Sequence, residues 1–359
     1  AARSPIARNV VGPRRVTPLR PPIAPPWERE ASPLDALGQA LLQVRLDLHE
    51  LRRPQLPVGP DGMALPNLVV DADSRSWESR PGRVSVIMAL YNHAQYVVDA
   101  LESAVSGGFA DVEVVVVDDG STDDSARVVR EWIDRTPHRA VRLLRHRVNR
   151  GLPSSRNDAI SHARGDLVFV LDADNEIFPT GLQRLVAALD ADPDATFAYG
   201  VLQTFDTGGP QGLLGYYPWQ PWRLRYGNYI DAMALIRRSA LLELGGYAEE
   251  RRLYGWEDYD LWCRLAEKGA YAVHVASPVA RYRSSRSSMI SMSNLSHTAA
   301  FDALRERAPQ LMSGGLEDWE HPLTDWLNTV KRTYAAHRHL LSELGDRAVG
   351  SPATGASAG

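Results

Sequence analysis

The sequence predicts an α/β domain: a mostly parallel sheet flanked by helices, with a helical extension before it and further helices after it. Three observations predict it. Short apolar runs alternate with amphipathic stretches from Val84 to Leu189, in the order βαβαβαβα. Val112–Val117 and Leu167–Leu171 are continuously apolar, as strands buried on both faces are. Two runs end in carboxylates, Asp118-Asp119 and Asp172-Ala173-Asp174. Open parallel sheets bind ligands at that edge.

The elements follow in order. Residues 1–31 are rich in proline and arginine with little periodicity, and read as a mobile arm. Ser32-Pro33-Leu34-Asp35 then opens a helix, with Ser32 as N-cap and Pro33 in the first turn. Leu34, Leu37, Leu41, Val44, Leu48 and Leu51 form a heptad stripe, and Pro54 ends it. So narrow a stripe suits a partner helix, so residues 32–53 are expected either to pair with a second copy of the chain or to dock on its own C-terminal helices. Residues 54–82 read as a proline-rich linker. The catalytic-type domain is expected over 83–290. Its strands are expected at Val84–Leu90, Val112–Val117, Val141–Leu144 and Leu167–Leu171. Its helices are expected at Ala94–Ser106, Asp123–Arg135, Ser154–Ala163 and Pro179–Leu189. A helical segment over 291–349 and a disordered Gly/Ala/Ser tail over 350–359 complete the chain.

Composition excludes several classes. The net charge of −4 gives no field for nucleic acid or an anionic membrane. One cysteine, Cys263, cannot form an internal disulfide. No run reaches the ~18 apolar residues of a membrane span, and no leader pattern is visible. The cytoplasm is the expected location.

The carboxylates at the strand ends carry the chemistry. Asp172 and Asp174 lie one residue apart, repel each other and raise each other's pKa unless a cation compensates. A divalent ion shared with substrate phosphates is one such cation. The bland alternative is a solvated turn. After the second strand, Ser121 and Asp124 fit a capping box, which leaves Asp118-Asp119 unexplained. A strand-end carboxylate can accept from a ribose hydroxyl or a base N–H. The first strand ends in Met88-Ala89-Leu90-Tyr91-Asn92 without a glycine-rich phosphate cradle, so a pyrophosphate here needs a cation. Glu257-Asp258 sits where a helix N-terminus would favour acids. Tyr216-Tyr217-Pro218-Trp219-Gln220-Pro221-Trp222 is an aromatic loop with Arg223 and Arg225 beside it. It reads either as a platform for sugar faces or as a loop folded on its own aromatic core.

In combination these segments resemble family 2 glycosyltransferases of the Rossmann-like GT-A fold. Val84–Asn92 is similar to their opening strand, and Asp118–Asp123 to their second-strand signature. Asn149-Arg150-Gly151, Ser155-Arg156-Asn157 and Ala163-Arg164-Gly165-Asp166 resemble their central segment. Leu171–Asp174 resembles their metal motif, and Leu244-Gly245-Gly246-Tyr247 their turn before the acceptor site. Trp256–Leu265 resembles their E-D-x-D-L-x-x-R-L helix. The match runs in order over about residues 83–285.

The resemblance implies an inverting transfer of a sugar from a nucleotide donor with Mn²⁺ or Mg²⁺. Asp174 would hold the metal with Asp172 assisting, and Asp258 would be the general base, with Glu257 its rival. Asp119 would accept from the nucleotide base, which favours a UDP-sugar, and Tyr91 would line the base or ribose. Arg156 and Asn157 would sit near the ribose and diphosphate, or else support the Asp172 loop. Asp118 would be structural. The acceptor would be a saccharide, natural product or peptide, met near Trp219, Trp222 and Trp256. Tyr282-Arg283 is followed by Ser284-Ser285-Arg286, so the histidine that many relatives carry there is absent. Arg283 and Arg286 read as diphosphate contacts or as a solvated loop. The competing readings are a nucleotidyltransferase, which would show a basic phosphate loop after the first strand, and a non-catalytic nucleotide-sugar-binding scaffold.

Overall fold

A computed structural model describes residues 55–59, 63–79, 81–284 and 297–313, with single positions 40, 43, 44 and 47. The first parallel strand, β2 (Val84–Leu90), lies between β3 (Val112–Asp118) and β5 (Leu167–Val170). β4 (Ala140–His146) runs parallel to β3 on its other side. The chain thus builds outward from β2 in one direction, then returns to its opposite flank. That reversal opens a crevice at the carboxyl ends of β2 and β5. Beyond β5 come β9 (Leu235–Arg237), β7 (Phe197–Asp206), β10 (Ala272–Arg283) and β6 (Glu176–Ile177), with β8 (Gly209–Leu214) paired to β7. Strands β6, β8 and β9 are antiparallel to their neighbours; β7 and β10 are parallel to each other.

Helices cover both faces. α1 (Val97–Val105), α2 (Ser125–Arg135) and α4 (Gly181–Ala191) place Leu101, Trp132 and Leu185 against Val84, Val86, Met88 and Val116. α3 (Leu152–His162), α6 (Glu257–Glu267) and α7 (His297–Arg307) place Ile160, Trp262 and Leu304 in the core that holds Ile87, Val115 and Val117. Alternate residues of one strand therefore feed two separate cores, which is why the runs are apolar throughout. Two short helices, α5 (Arg238–Glu243) and α8 (Pro309–Ser313), complete the described set.

Two sequence expectations change. Residues 54–82 are not a simple linker. Leu68–Asp73 is strand β1, paired antiparallel to β4 at the sheet edge, and Trp77 is buried. Its acidic residues hid it: Asp71 and Asp73 pair with Arg130 at 2.5 Å and Arg142 at 2.6 Å. The capping box is not formed. The helix starts at Ser125, and Ser121 Oγ instead accepts the Asn92 amide at 3.0 Å. Within 32–53, Ala40, Gln43, Val44 and Asp47 are helical, and Asp47 pairs with Arg251 at 2.8 Å; the rest lies outside the described residues. The arm 1–31, most of the C-terminal segment and the tail also lie outside them. No described helix is long and apolar enough to cross a membrane.

Arg164, part of the family-like central segment, works at the far end of the strands. Glu113 is fully buried and accepts from Ser85 Oγ (2.6 Å), Arg164 N (2.7 Å) and Arg164 Nε (2.9 Å). The Arg164 guanidinium lies 3.7 Å over Trp77 and donates to its carbonyl. Removing Glu113 leaves the half-buried Arg164 charge without its carboxylate and the buried Ser85 hydroxyl without its acceptor. Glu113→Ala is expected to lower unfolding free energy by about 3 kcal/mol in urea titration, while the protein that remains folded keeps its turnover number.

Candidate active site

The site forms where β2, β3 and β5 end. β5 delivers Asp172 and Asp174, both half-buried. Asp172 Oδ1 accepts from Arg156 Nη2 at 2.8 Å. Asp174 has no such cation among the described residues. Burial, and then the Asp172 charge, raise its carboxyl above the ordinary range, only partly offset by His93 and Arg283. Arg283 is not a solvated residue. Its amide donates to Asn175, its Nε donates to the Asp174 carbonyl, and its guanidinium stacks on Tyr96 and Phe205. It fixes the backbone of the Asp172–Asn175 turn. Arg286 lies outside the described residues.

α6 brings the second acid pair, Glu257 and Asp258, in its first turn. They differ in reach. Glu257 is 4% exposed, its Oε1 accepts the Gly255 amide at 3.0 Å, and burial raises its carboxyl to about 7. Asp258 is half-buried and held by the Asn228 amide nitrogen (2.9 Å) and its neighbour's backbone N–H, from Tyr259 (2.8 Å). Its carboxyl is also raised, chiefly by burial. Of the pair, Asp258 is the one open to an incoming hydroxyl. Arg156 links both regions, because its charge also lowers the carboxyls of Glu257 and Asp258.

Asp119, at the exit of β3, is 3% exposed and already receives three donors: His146 Nδ1 (2.6 Å), Arg150 N (2.7 Å) and Gly151 N (2.8 Å). A carboxylate has about four acceptor positions, so one remains, on Oδ2. Asp118 is fully buried beside Arg145 at 3.2 Å, a structural place. Tyr91 follows β2 and is 43% exposed at the same edge.

His146 escaped the sequence reading. Its ring is buried between Asp119 and Asp158, 2.6 and 2.8 Å from the two nitrogens. Burial alone would lower its pKa, but the hydrogen bonds to Asp119 and Asp158 prevail and raise it. The stability this contributes is full below pH ~6.5 and is lost as pH rises through the raised value. Melting temperatures measured from pH 6 upward are expected to fall in the unaltered protein and to flatten in His146→Gln.

Two donor and acceptor expectations are corrected. Asn157 is spent on the fold: its Nδ2 donates to the Tyr247 carbonyl (2.9 Å) and its Oδ1 accepts the Tyr247 amide (2.7 Å). Gly246, at φ +75°, makes room for it, since a Cβ there would lie 2.3 Å from Asn157 Oδ1. Among the aromatics, Trp219 packs edge-on to Phe197 at 5.1 Å. Trp256 is 9% exposed, stacked on Tyr259 and edge-on to Phe301. Trp256 belongs to the core, and Trp219 is half-buried against it. Trp222 is half-buried, with the Arg223 guanidinium 4.9 Å from its ring, so the loop is largely its own aromatic cluster.

Asp231, just before β9, was also missed. A single acid in Ile230-Asp231-Ala232-Met233-Ala234-Leu235-Ile236 was the available signal. Burial, then the charges of Asp172 and Asp258, raise its carboxyl to about 7. Tyr282, from β10, faces the same acids, and burial raises its phenol.

A family model described as glycosyl transferase family 2 matches residues 85–245, and one described as glycosyltransferase like family 2 matches residues 213–311. The chain is 32% identical over 190 residues to the glycosyltransferase-family protein EpsE of Bacillus subtilis (strain 168), covering 52% of this chain and 68% of EpsE. It is 36% identical over 206 residues to the succinoglycan biosynthesis protein ExoU of Rhizobium meliloti (strain 1021), covering 53% of this chain and 58% of ExoU. Among solved structures, residues 1–349 of S. aureus TarS in complex with UDP-GlcNAc superpose with a TM-score of 0.50 at 19% identity, over 58% of this chain and 60% of that one. The sheet is thus a GT-A sheet. A strand that ends in Asp172–Asp174, a helix that opens with Glu257-Asp258 and the EpsE match agree: the chain belongs to glycosyltransferase family 2 and is a glycosyltransferase.

Proposed function

We propose that the chain is a metal-dependent, inverting glycosyltransferase that moves a sugar from a UDP-sugar to a hydroxyl of a saccharide, natural product or peptide. One observation supports this above the others: Arg156 is bonded to Asp172 at the end of β5, and its charge also lowers the pKa of Asp258 at the start of α6, as one crevice serving donor and acceptor would require.

The residues fit a hard divalent cation such as Mn²⁺ or Mg²⁺. They offer carboxylate oxygens, and among the described residues Asp174 lacks the bonded cation that Asp172 finds in Arg156. Asp174 would hold the ion and Asp172 would assist. When bound, such an ion neutralises the leaving diphosphate as a Lewis acid. The chain's own residues do the rest. Asp258, oriented by Asn228, takes the proton from the acceptor hydroxyl as its oxygen attacks the anomeric carbon. Attack opposite the leaving phosphate inverts that carbon in one displacement. A raised carboxyl pKa makes Asp258 a stronger base than an exposed aspartate. Glu257, turned to the Gly255 amide, would shape the helix start.

Asp119 would take the N3–H of a pyrimidine on its remaining Oδ2 position, with Tyr91 beside the ring. TarS residues 1–349 were solved with UDP-GlcNAc, a donor of the same class. Calorimetry in Mn²⁺ tests the donor: UDP is expected to bind more tightly than GDP. A preference for GDP, or an equal response, refutes the uridine assignment.

A further inference from the structure

Among the described residues, Tyr247 and Asp231 each leave a polar atom free for a ligand. Tyr247 is 2% exposed, yet its hydroxyl has no hydrogen bond among them. Asp231 uses Oδ1 to accept the Met233 amide at 2.9 Å, and its Oδ2 has no hydrogen-bond partner among the described residues. The buried Tyr247 donor left unpaired costs free energy, which the site recovers when a ligand supplies the partner, and half-buried Asp231 offers an acceptor.

Both groups are held rigidly. The Leu244–Tyr247 turn is clamped from two sides. Arg264, from α6, donates to the carbonyls of Leu244 (2.9 Å) and Gly246 (2.7 Å). Asn157, from α3, holds both backbone groups of Tyr247. The Arg156 guanidinium lies 5.1 Å over the Tyr247 ring, which sets the ring plane. Asp231 is anchored at both ends of its segment. Upstream, Asn228 is bonded to Asp258. Downstream, Leu235 pairs with Phe169 of β5, three residues before Asp172. Asp231 therefore belongs to the segment that joins the Asn228 contact with Asp258 to the β9 pairing with β5. The field of Asp231 reaches the Tyr247 phenol, together with those of Asp172 and Asp258.

Chemistry narrows the ligand. Asp172, Asp231 and Asp258 repel an anion, so this floor does not suit a phosphate. A carboxylate oxygen that accepts and a phenol that donates suit hydroxyl groups, which do both. What lies between a leaving diphosphate and an attacking hydroxyl is the sugar in transfer. We propose that Asp231 and Tyr247 form the floor that recognises the transferred sugar, with a sugar hydroxyl donating to Asp231 Oδ2 and one accepting from Tyr247 Oη. The assignment rests on the UDP-sugar reading above and adds to it the two residues that select the sugar.

The test titrates the full chain in Mn²⁺ with UDP and with UDP-glucose, UDP-galactose and UDP-GlcNAc. The excess affinity of the best UDP-sugar over UDP measures the sugar's own contacts. Asp231→Asn and Tyr247→Phe, each checked for an unchanged melting transition, are expected to bind UDP as the unaltered protein does. They are expected to bind that UDP-sugar about 10-fold and about 5-fold more weakly, respectively, the scale of one lost hydrogen bond to a charged and to a neutral group. Equal losses for UDP and UDP-sugar, no loss for either, or a sugar that adds nothing over UDP in the unaltered protein overturns the assignment alone. An unaltered protein that binds neither UDP nor any UDP-sugar overturns the donor reading and this assignment with it.

Discussion

Asp174→Ala is expected to abolish transfer, reducing release of nucleoside diphosphate by at least ~10³-fold, while the protein stays folded. The rate loss follows from removing the carboxylate proposed to hold the divalent ion, whose effect on leaving-group charge is worth several kcal/mol. The intact fold follows from the state of the side chain. Its raised pKa means that the ionised carboxylate is destabilised in the folded protein, chiefly by burial and then by Asp172. A group whose folded pKa is raised costs stability above that pKa, so its removal costs none at neutral pH. The melting temperature of Asp174→Ala in EDTA is therefore expected to equal or exceed that of the unaltered protein. Full activity in a well-folded Asp174→Ala protein would remove the ion from this site.

The second large effect is at Asp258. Asp258→Asn keeps the shape and the Asn228 contact but cannot take a proton. Turnover is expected to fall by about 10²-fold or more with nucleotide binding nearly unchanged. The pH profile separates a base from a merely structural acid. A base works ionised, so kcat/KM falls as pH is lowered through its pKa. Burial raises that pKa, so the acid limb lies above the ~3.9 of a free aspartate. In Asp258→Asn that limb is expected to vanish from the residual activity. If Glu257→Gln is inactive and Asp258→Asn retains full turnover, the roles of the two acids are reversed.

Much of this site was legible because it sits at strand ends. The apolar runs of β2, β3 and β5 fix where the backbone stops, and the acids after them must then lie at the sheet's carboxyl edge. Their partners were less legible, because partnership is decided by tertiary contacts. Asn157 reads like a ligand-binding amide until Gly246, at positive φ, brings the Tyr247 backbone onto it. His146 looks like any residue at a strand end until Asp119 and Asp158 close on both ring nitrogens. Trp219 and Trp256 look like a sugar platform, but Tyr259 and Phe301 bury Trp256, and Phe197 half-covers Trp219. Strand β1 carries two aspartates and follows a proline-rich stretch. Pairing with β4 makes it a strand, and Arg130 and Arg142, from elements about 60 or more residues away, neutralise its acids. Within Trp256–Leu265 the motif divides by function. Asp260 and Arg264 form a buried pair at 2.7 Å that fastens the Gly245-Gly246 turn, which leaves Asp258 to face the crevice.

The most direct measurement is release of nucleoside diphosphate across a panel of nucleotide sugars, with Mn²⁺, with Mg²⁺ and with EDTA. Release is expected from a UDP-sugar, to stop in EDTA, to return when the metal is restored, and to be absent in Asp174→Ala. Undiminished release in EDTA, or no release from any nucleotide sugar in either metal, would contradict this expectation.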